Sequence, residues 1–303
     1  MLHVSRRTFL KTASASLAGA ALWNNIPWLM ANALGLPIGL QLYSVRDVLP
    51  KDYEGTLQQV ASLGYQEVEA AGFFNHKALE VKQFMNRAKL RCVSAHYPLK
   101  DLLPKLDETV QYGKDLGLQY VVCSSPWFKD PSRVKDPGSR AARESMTLDD
   151  WKWNAEQFNR IGERISVAGM SFAYHNHTPE FRSENGVMFY DEVLRLTDPA
   201  KVNMELDCGW AAIAGQNPAD LLTRHADRIK MLHVKDFKMT AATTPATAPH
   251  STEMGHGTID YRPIFEAAEK AHIEHAFVEQ EEFDMPQMEA LKIDADYMRA
   301  IAA

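Results

Sequence analysis

Cysteine is scarce in this chain. Cys92, Cys123 and Cys208 are the only three in 303 residues, and an odd, widely spaced set does not make a disulfide framework. Each falls in or directly after an expected strand, where a free thiol packs as a small hydrophobe. Long apolar runs are missing as well. Thr12 to Leu22 is only weakly apolar and falls well short of the ~20 residues that span a bilayer. No later stretch qualifies, so the mature protein is expected to be soluble, with no membrane span. There is no basic block beyond the amino terminus, and the formal net charge is −6. A nucleic-acid binder would carry the opposite footprint. Finally, no G-x-G-x-x-G follows the first expected strand, which removes the main reason to expect a dinucleotide-binding open sheet.

The amino end has a pattern of its own. Ser5-Arg6-Arg7-Thr8-Phe9-Leu10-Lys11 precedes the Ala- and Ser-rich stretch, and Ala31-Asn32-Ala33 follows. A charged start, a weakly apolar segment and an A-x-A triplet, with paired arginines, read as a twin-arginine export signal over residues 1–33. The expected partner is the twin-arginine export machinery, and the expected location is the periplasm or outside the cell. Such export carries folded proteins, which agrees with free thiols. Residues 34–303 remain, close to the ~250 of a single eight-fold barrel. The hydrophobic content of 46% is ample for one core.

From Leu36 onward, strand and helix patterns alternate. Strands are expected at Ile38–Arg46, Glu67–Ala71, Arg91–His96, Tyr120–Ser124, Ser171–His177, Val202–Asp207, Ile229–Val234 and Ala276–Glu279. Helices are expected between them, closed by Gly64, Gly117 and Gly169 or opened by Asn217-Pro218. Eight of each, with short connections, is the count of a (β/α)8 barrel in one domain. Two connections are long, Pro126–Met146 and Phe237–Thr258. Both leave the carboxyl end of a strand and so overhang the catalytic face. The second, rich in Ala, Thr and Pro over Met239–Ser251, is expected to be mobile, as a lid is.

The chemistry lies at the strand ends. Asp207, His233 and Glu279 end strands six, seven and eight, where a parallel barrel builds its active site. Oxygen ligands with an imidazole suit Mn2+, Mg2+, Co2+ or Zn2+, and the lack of a thiolate argues against a structural zinc site. Strand five offers three further donors, His175, His177 and Glu180. Any of them can complete the coordination sphere, the others being left for acid–base work or substrate binding. Glu205 shares parity with Asp207 one layer deeper, as a supporting partner or a buried carboxylate of raised pKa.

These stretches resemble the sugar phosphate isomerase/epimerase superfamily, the xylose-isomerase-like TIM barrels, and most of all its exported branch. The matching segments are Gln41-Leu42-Tyr43-Ser44-Val45-Arg46, Tyr174-His175-Asn176-His177-Thr178-Pro179-Glu180-Phe181, Met204-Glu205-Leu206-Asp207, His233-Val234-Lys235-Asp236, Gly257-Thr258-Ile259-Asp260 and Val278-Glu279-Gln280. The resemblance covers essentially the whole mature chain. It implies one divalent ion, manganese first, held by a carboxylate from strand five or its exit together with Asp207, His233 and Glu279. Many members carry a glutamate inside strand five where this sequence has His175, and Glu180 is the expected ligand in its place. It also implies a small carbohydrate substrate, a keto-sugar or polyol.

An ion bridging a carbonyl and a neighbouring hydroxyl acidifies the C–H between them and stabilises an enediolate. Re-protonation elsewhere gives isomerisation or epimerisation, and loss of a β-substituent gives elimination or, in reverse, hydration. The candidates for proton transfer are Glu180, Glu279, His175 and His177, with Lys235 as an electrostatic aid. Candidates for holding substrate are Gln41, Tyr43, Glu69, His96, Trp210 and His256. Export favours a non-phosphorylated keto-sugar or keto-glycoside. Two other readings compete: an exported sugar-binding barrel without turnover, and a metal-dependent phosphodiesterase of the endonuclease branch, against which the acidic balance speaks. Self-association into a homo-oligomer is compatible with the sequence.

Overall fold

The computed structural model describes residues 34–301; the segment read as an export signal, residues 1–33, lies outside them. Eight parallel strands close on themselves. They are β1 (Gly39–Gln41), β2 (Glu67–Ala70), β3 (Arg91–Pro98), β4 (Tyr120–Ser125), β5 (Ser171–His175), β6 (Asn203–Asp207), β7 (Ile229–Val234) and β8 (His275–Val278). The ring is sealed by Gly39 pairing with Phe277. Outside it lie α1 (Tyr53–Ser62), α2 (Ala78–Ala88), α3 (Leu99–Leu116), α4 (Leu148–Val167), α5 (Phe189–Leu196), α6 (Pro218–Arg224), α7 (Tyr261–Ala271) and α8 (Gln287–Ala300). The chain is thus the (β/α)8 barrel its punctuation suggests. Among the described residues, no helix is long and apolar enough to cross a membrane.

The inside of the barrel is layered, because side chains alternate along each strand. At the amino end, Glu67 is buried between Arg91 and His275, with His275 Nδ1 2.8 Å from its carboxylate. Above it an apolar plug packs Val93, Tyr120, Val122, Ala173, Met231 and Phe277. Above that, parity and register bring polar groups together: Gln41 pairs with Glu69, His175 with Glu205, and Asp207 with His233. The plug gives this polar layer a dry floor.

Two expected strands end two or more residues early. The first was expected to run to Arg46, but β1 stops at Gln41, whose side chain accepts the Tyr43 N–H at 2.9 Å and starts a 3-10 turn over Leu42–Val45. This turns Tyr43 outward over the barrel mouth. The fifth was expected to reach His177, but β5 stops at His175 and Pro179 opens a short turn to Phe181. Parity therefore does not carry through to His177.

The long loops are better tied than their composition suggests. Trp127, at the start of the first, is gripped by Asn154 of α4, which accepts its N–H and donates to its carbonyl. The base of the second forms a ribbon in which Asp236–Phe237 pairs with Ser251–Thr252. The Asp236 carboxylate accepts backbone N–H groups from Phe237, Gly255, Gly257 and Ile259. A Cβ on Gly257 would lie 2.0 Å from that carboxylate, so only glycine fits.

Asp294 of α8 anchors the same loop from behind, accepting the Met254 N–H at 2.7 Å. Its other oxygen is buried without a hydrogen-bond partner. Burial, reinforced by Glu253 and Asp236, raises its pKa from 3.8 to about 8. Between those values the folded protein keeps a proton that the unfolded chain has lost, so stability falls as pH rises through the window. Asp294→Asn keeps the acceptor and removes the ionisation. Urea midpoints at about pH 5 and about pH 8 are expected to fall less in the variant than in the parent; equal falls would contradict this.

Candidate active site

At the carboxyl end of the barrel lies a cavity of about 350 Å³, bordered by Tyr43, His96, His175, His177, Trp210 and Glu279. Beneath it, each polar side chain is placed by its strand and its register. His233 on β7 is fully buried between two groups of carboxylates. Its Nε2 is 2.7 Å from Glu69, and its Nδ1 is 3.1 Å from Glu279 and 3.9 Å from Asp207. His175 on β5 donates Nδ1–H to Glu205 at 2.9 Å, which turns its Nε2 toward Asp207 Oδ2 at 3.9 Å. Asp207 itself caps the next short helix, its Oδ1 accepting the Trp210 N–H at 2.7 Å. Its Oδ2 is buried with no hydrogen-bond partner. Lys235 lies alongside, Nζ 3.4 Å from that oxygen, 2.7 Å from Glu279 and 2.5 Å from Glu281.

The electrostatics follow from burial set against these contacts. Burial, together with the nearby imidazoles and Lys235, pushes His175 well below the usual imidazole range and leaves it neutral. Burial acts the same way on His177, helped by Arg143 and Lys235. For His233 burial is outweighed by Glu205, Glu279 and Glu69, which raise it well above that range. His96 rises to about 9, where Glu69 and Glu205 overcome burial. Burial also opposes the charge on Glu279, yet Lys235 and His233 hold that carboxyl well below its ordinary value. Asp207 is raised by burial, only partly offset by Lys235 and His233. Lys235 stays protonated because Asp207, Glu279 and Glu281 outweigh burial.

This donor set fits a divalent cation. Asp207, His233 and Glu279 present ligand atoms within 4.8 Å of one another. The buried Asp207 Oδ2 accepts no hydrogen bond, with Lys235 Nζ standing 3.4 Å away, whereas a buried carboxylate oxygen normally has one. His175 Nε2 lies 3.9 Å from Asp207 Oδ2, and both His175 and His233 have a carboxylate on the far nitrogen, the usual support for a metal-binding histidine.

The structure brings together three of the four residues expected to hold metal, Asp207, His233 and Glu279. It does not bring Glu180 to them. The Pro179 turn aims that carboxylate back at β5, where it takes the Tyr174 hydroxyl and the His177 N–H, the latter at 3.0 Å. Burial raises it to about 7. His175 Nε2 reaches Asp207, 3.9 Å from Oδ2, and with it as the fourth ligand His175→Ala is expected to empty the site while Glu180→Gln keeps its metal. Metal analysis giving the reverse pattern would return Glu180 to the coordination sphere.

Other expected residues sort by depth. Tyr43, His96 and Trp210 border the cavity. Gln41 and Glu69 lie beneath it, Gln41 donating to Glu69 at 2.6 Å, and act by orienting His96 and His233. His256 is half exposed beside Glu253 and lies apart from the cavity. Two charged cavity residues, Arg143 and Glu281, escaped the sequence reading. The only signals for them were the position of the first long loop and the acidic run after Glu279.

The chain belongs to the xylose isomerase-like TIM barrel family, whose profile matches residues 57–301. An inosose dehydratase from Geobacillus thermodenitrificans (strain NG80-2) is 24% identical over 252 residues, spanning 77% of this chain and 83% of that protein. A sugar phosphate isomerase/epimerase from Parabacteroides distasonis superposes with a TM-score of 0.69 at 26% identity, covering 87% of this chain and 94% of that one. The 3-keto-D-glucoside 4-epimerase of E. coli superposes with a TM-score of 0.63 at 16% identity, over 88% and 99% of the two chains. At that identity the likeness is one of fold.

Proposed function

We propose that this protein is a divalent-metal-dependent enzyme that removes a proton beside the carbonyl of a keto-sugar or keto-cyclitol and then expels a β-hydroxyl. The observation that carries this reading is the buried Asp207 Oδ2, which accepts no hydrogen bond, has Lys235 Nζ 3.4 Å away, and is grouped with His233 and Glu279. His175, Asp207, His233 and Glu279 would hold the ion, and two imidazoles with two carboxylates favour zinc or cobalt over magnesium. Bound there, it would polarise the carbonyl and acidify the neighbouring C–H.

The chain's own groups divide the remaining work. His177 is neutral, borders the cavity and has a buried Nδ1 without a hydrogen-bond partner, so it is suited to take the proton. Its backbone is fixed by Glu180. Lys235, held protonated by three carboxylates, supplies positive charge where negative charge builds on the substrate. Glu281 also borders the cavity, 2.5 Å from Lys235 Nζ, and this pair would return a proton to the departing hydroxyl. Trp210 and Tyr43 offer flat faces to a ring.

Inosose is a keto-cyclitol, so the Geobacillus relative supports elimination. The Parabacteroides isomerase/epimerase, at 26% identity, supports the second reading, return of the same proton to the opposite face. Chelated protein is expected to lose turnover of keto-cyclitols and 3-keto-sugars and to regain it with Zn2+, Co2+ or Mn2+. Full turnover after exhaustive chelation would contradict the proposal.

A further inference from the structure

Arg143 borders the active-site cavity but takes no part in the proton transfers proposed above. It ends a single helical turn, Arg140–Arg143, inside the first long loop. The backbone there is fastened on both sides. Arg143 donates its N–H to the Ser139 carbonyl at 3.2 Å, and its own carbonyl accepts the N–H of buried Met146 at 3.1 Å. The next residue, Glu144, is held by the barrel mouth. Its carboxylate accepts the Thr178 hydroxyl at 2.9 Å, and its carbonyl accepts from the Arg182 guanidinium. Thr178 lines the same cavity, so the loop that carries Arg143 is anchored at the wall.

The donors of this half-buried guanidinium are largely unspent. An arginine side chain carries five N–H groups. Among the described residues it makes one hydrogen bond, from Nη1 to the Gly138 carbonyl at 3.2 Å, and no ion pair. Its Nε is buried with no partner. Two neighbouring carboxylates are committed elsewhere. Glu144 holds Thr178, and Glu180, which feels the Arg143 charge, takes the Tyr174 hydroxyl and the His177 N–H. A charge withdrawn from water is normally paired. A planar guanidinium takes a carboxylate through two parallel bonds, each about twice as strong as one to a neutral group. Ser124 and Ser125 line the same cavity and add hydroxyl groups. Glu279 and Glu281 line it too, so a singly charged carboxylate meets less repulsion than a doubly charged phosphate.

Resting on the keto-sugar reading above, we infer that Arg143 sets the specificity of this cavity and that the substrate is a keto-sugar acid, whose carboxylate pairs with the guanidinium. The metal-holding groups then act on the carbonyl, and the first long loop selects the acid.

The test uses the metal-loaded protein and three ligands that differ at one carbon: methyl glucuronide, methyl glucoside and methyl glucoside 6-phosphate. Calorimetry reads their binding, and the 3-keto form of each reads turnover. The glucuronide is expected to bind at least ~10-fold more tightly than the glucoside, as one charge-assisted pair allows, with the same order in kcat/KM. Arg143→Gln should erase that preference. Arg143→Lys should keep part of it, because the charge survives and the planar fork does not. Equal binding of acid and neutral glycoside overturns the inference, and so does tightest binding of the phosphate. A preference that survives in Arg143→Gln overturns it as well, since the carboxylate would then be meeting the metal. Turnover of the keto-sugars without preference strikes the role of Arg143 alone. An Arg143-dependent preference in binding, with no turnover of any keto form, upholds that role and strikes the proposed function.

Discussion

Asp207→Asn is expected to abolish stoichiometric metal binding and turnover together while leaving the barrel folded. The asparagine keeps an oxygen for the Trp210 N–H that Asp207 caps at 2.7 Å, so the helix start survives. What disappears is the negative charge at Oδ2, the atom left without a hydrogen-bond partner. Losing a mere supporting partner of a ligand costs ~10–100-fold in affinity, so losing the ligand's charge should cost more. Asp207→Ala would add about 1 kcal/mol of lost capping, which is why asparagine is the cleaner probe. Metal analysis of purified Asp207→Asn and Glu279→Gln, with circular dichroism to confirm folding, decides the matter. Full occupancy in both would remove these carboxylates from the site.

His177→Ala should separate chemistry from binding. The ring borders the cavity but lies outside the group of ligand atoms around Asp207, so the variant is expected to bind metal normally. Turnover should fall by ~10²–10⁴-fold, the share of one general acid or base, with little change in KM. Gain of a side-chain void there is tolerable because the ring borders a cavity and belongs to no hydrophobic core cluster. An unchanged kcat would transfer the proton-abstracting role to another cavity residue, Glu281 first. Loss of metal would make His177 part of the coordination sphere.

The fold was legible because each helix is punctuated and each strand is short and apolar. Gly117, for example, stops α3 in a left-handed conformation, with φ 93°. The strand-end positions of Asp207, His233 and Glu279 were legible for the same reason, since parity and register are properties of regular strands. Reading failed where regularity stops. Glu180 follows Pro179, so its direction is set by a turn and by Tyr174, a partner invisible to spacing. Gln41 ends its own strand by capping Tyr43 while bonding to Glu69, its register partner on the neighbouring strand, a pairing that sequence spacing does not show. Arg143 and Glu281 reach the cavity from loops, where the sequence has no period to read. The export signal lies outside the described residues and remains an expectation of the sequence alone.

The central claim is that the cavity removes a proton from carbon beside a substrate carbonyl. Proton NMR of a 3-keto-sugar or keto-cyclitol incubated in D2O with metal-loaded protein tests it most directly. The account predicts that the signal of the hydrogen beside the carbonyl disappears, or that the eliminated product accumulates, with the parent protein. Neither should occur with Asp207→Asn. Saturable binding of the keto-sugar with no exchange and no product would contradict it, leaving a sugar-binding barrel without turnover.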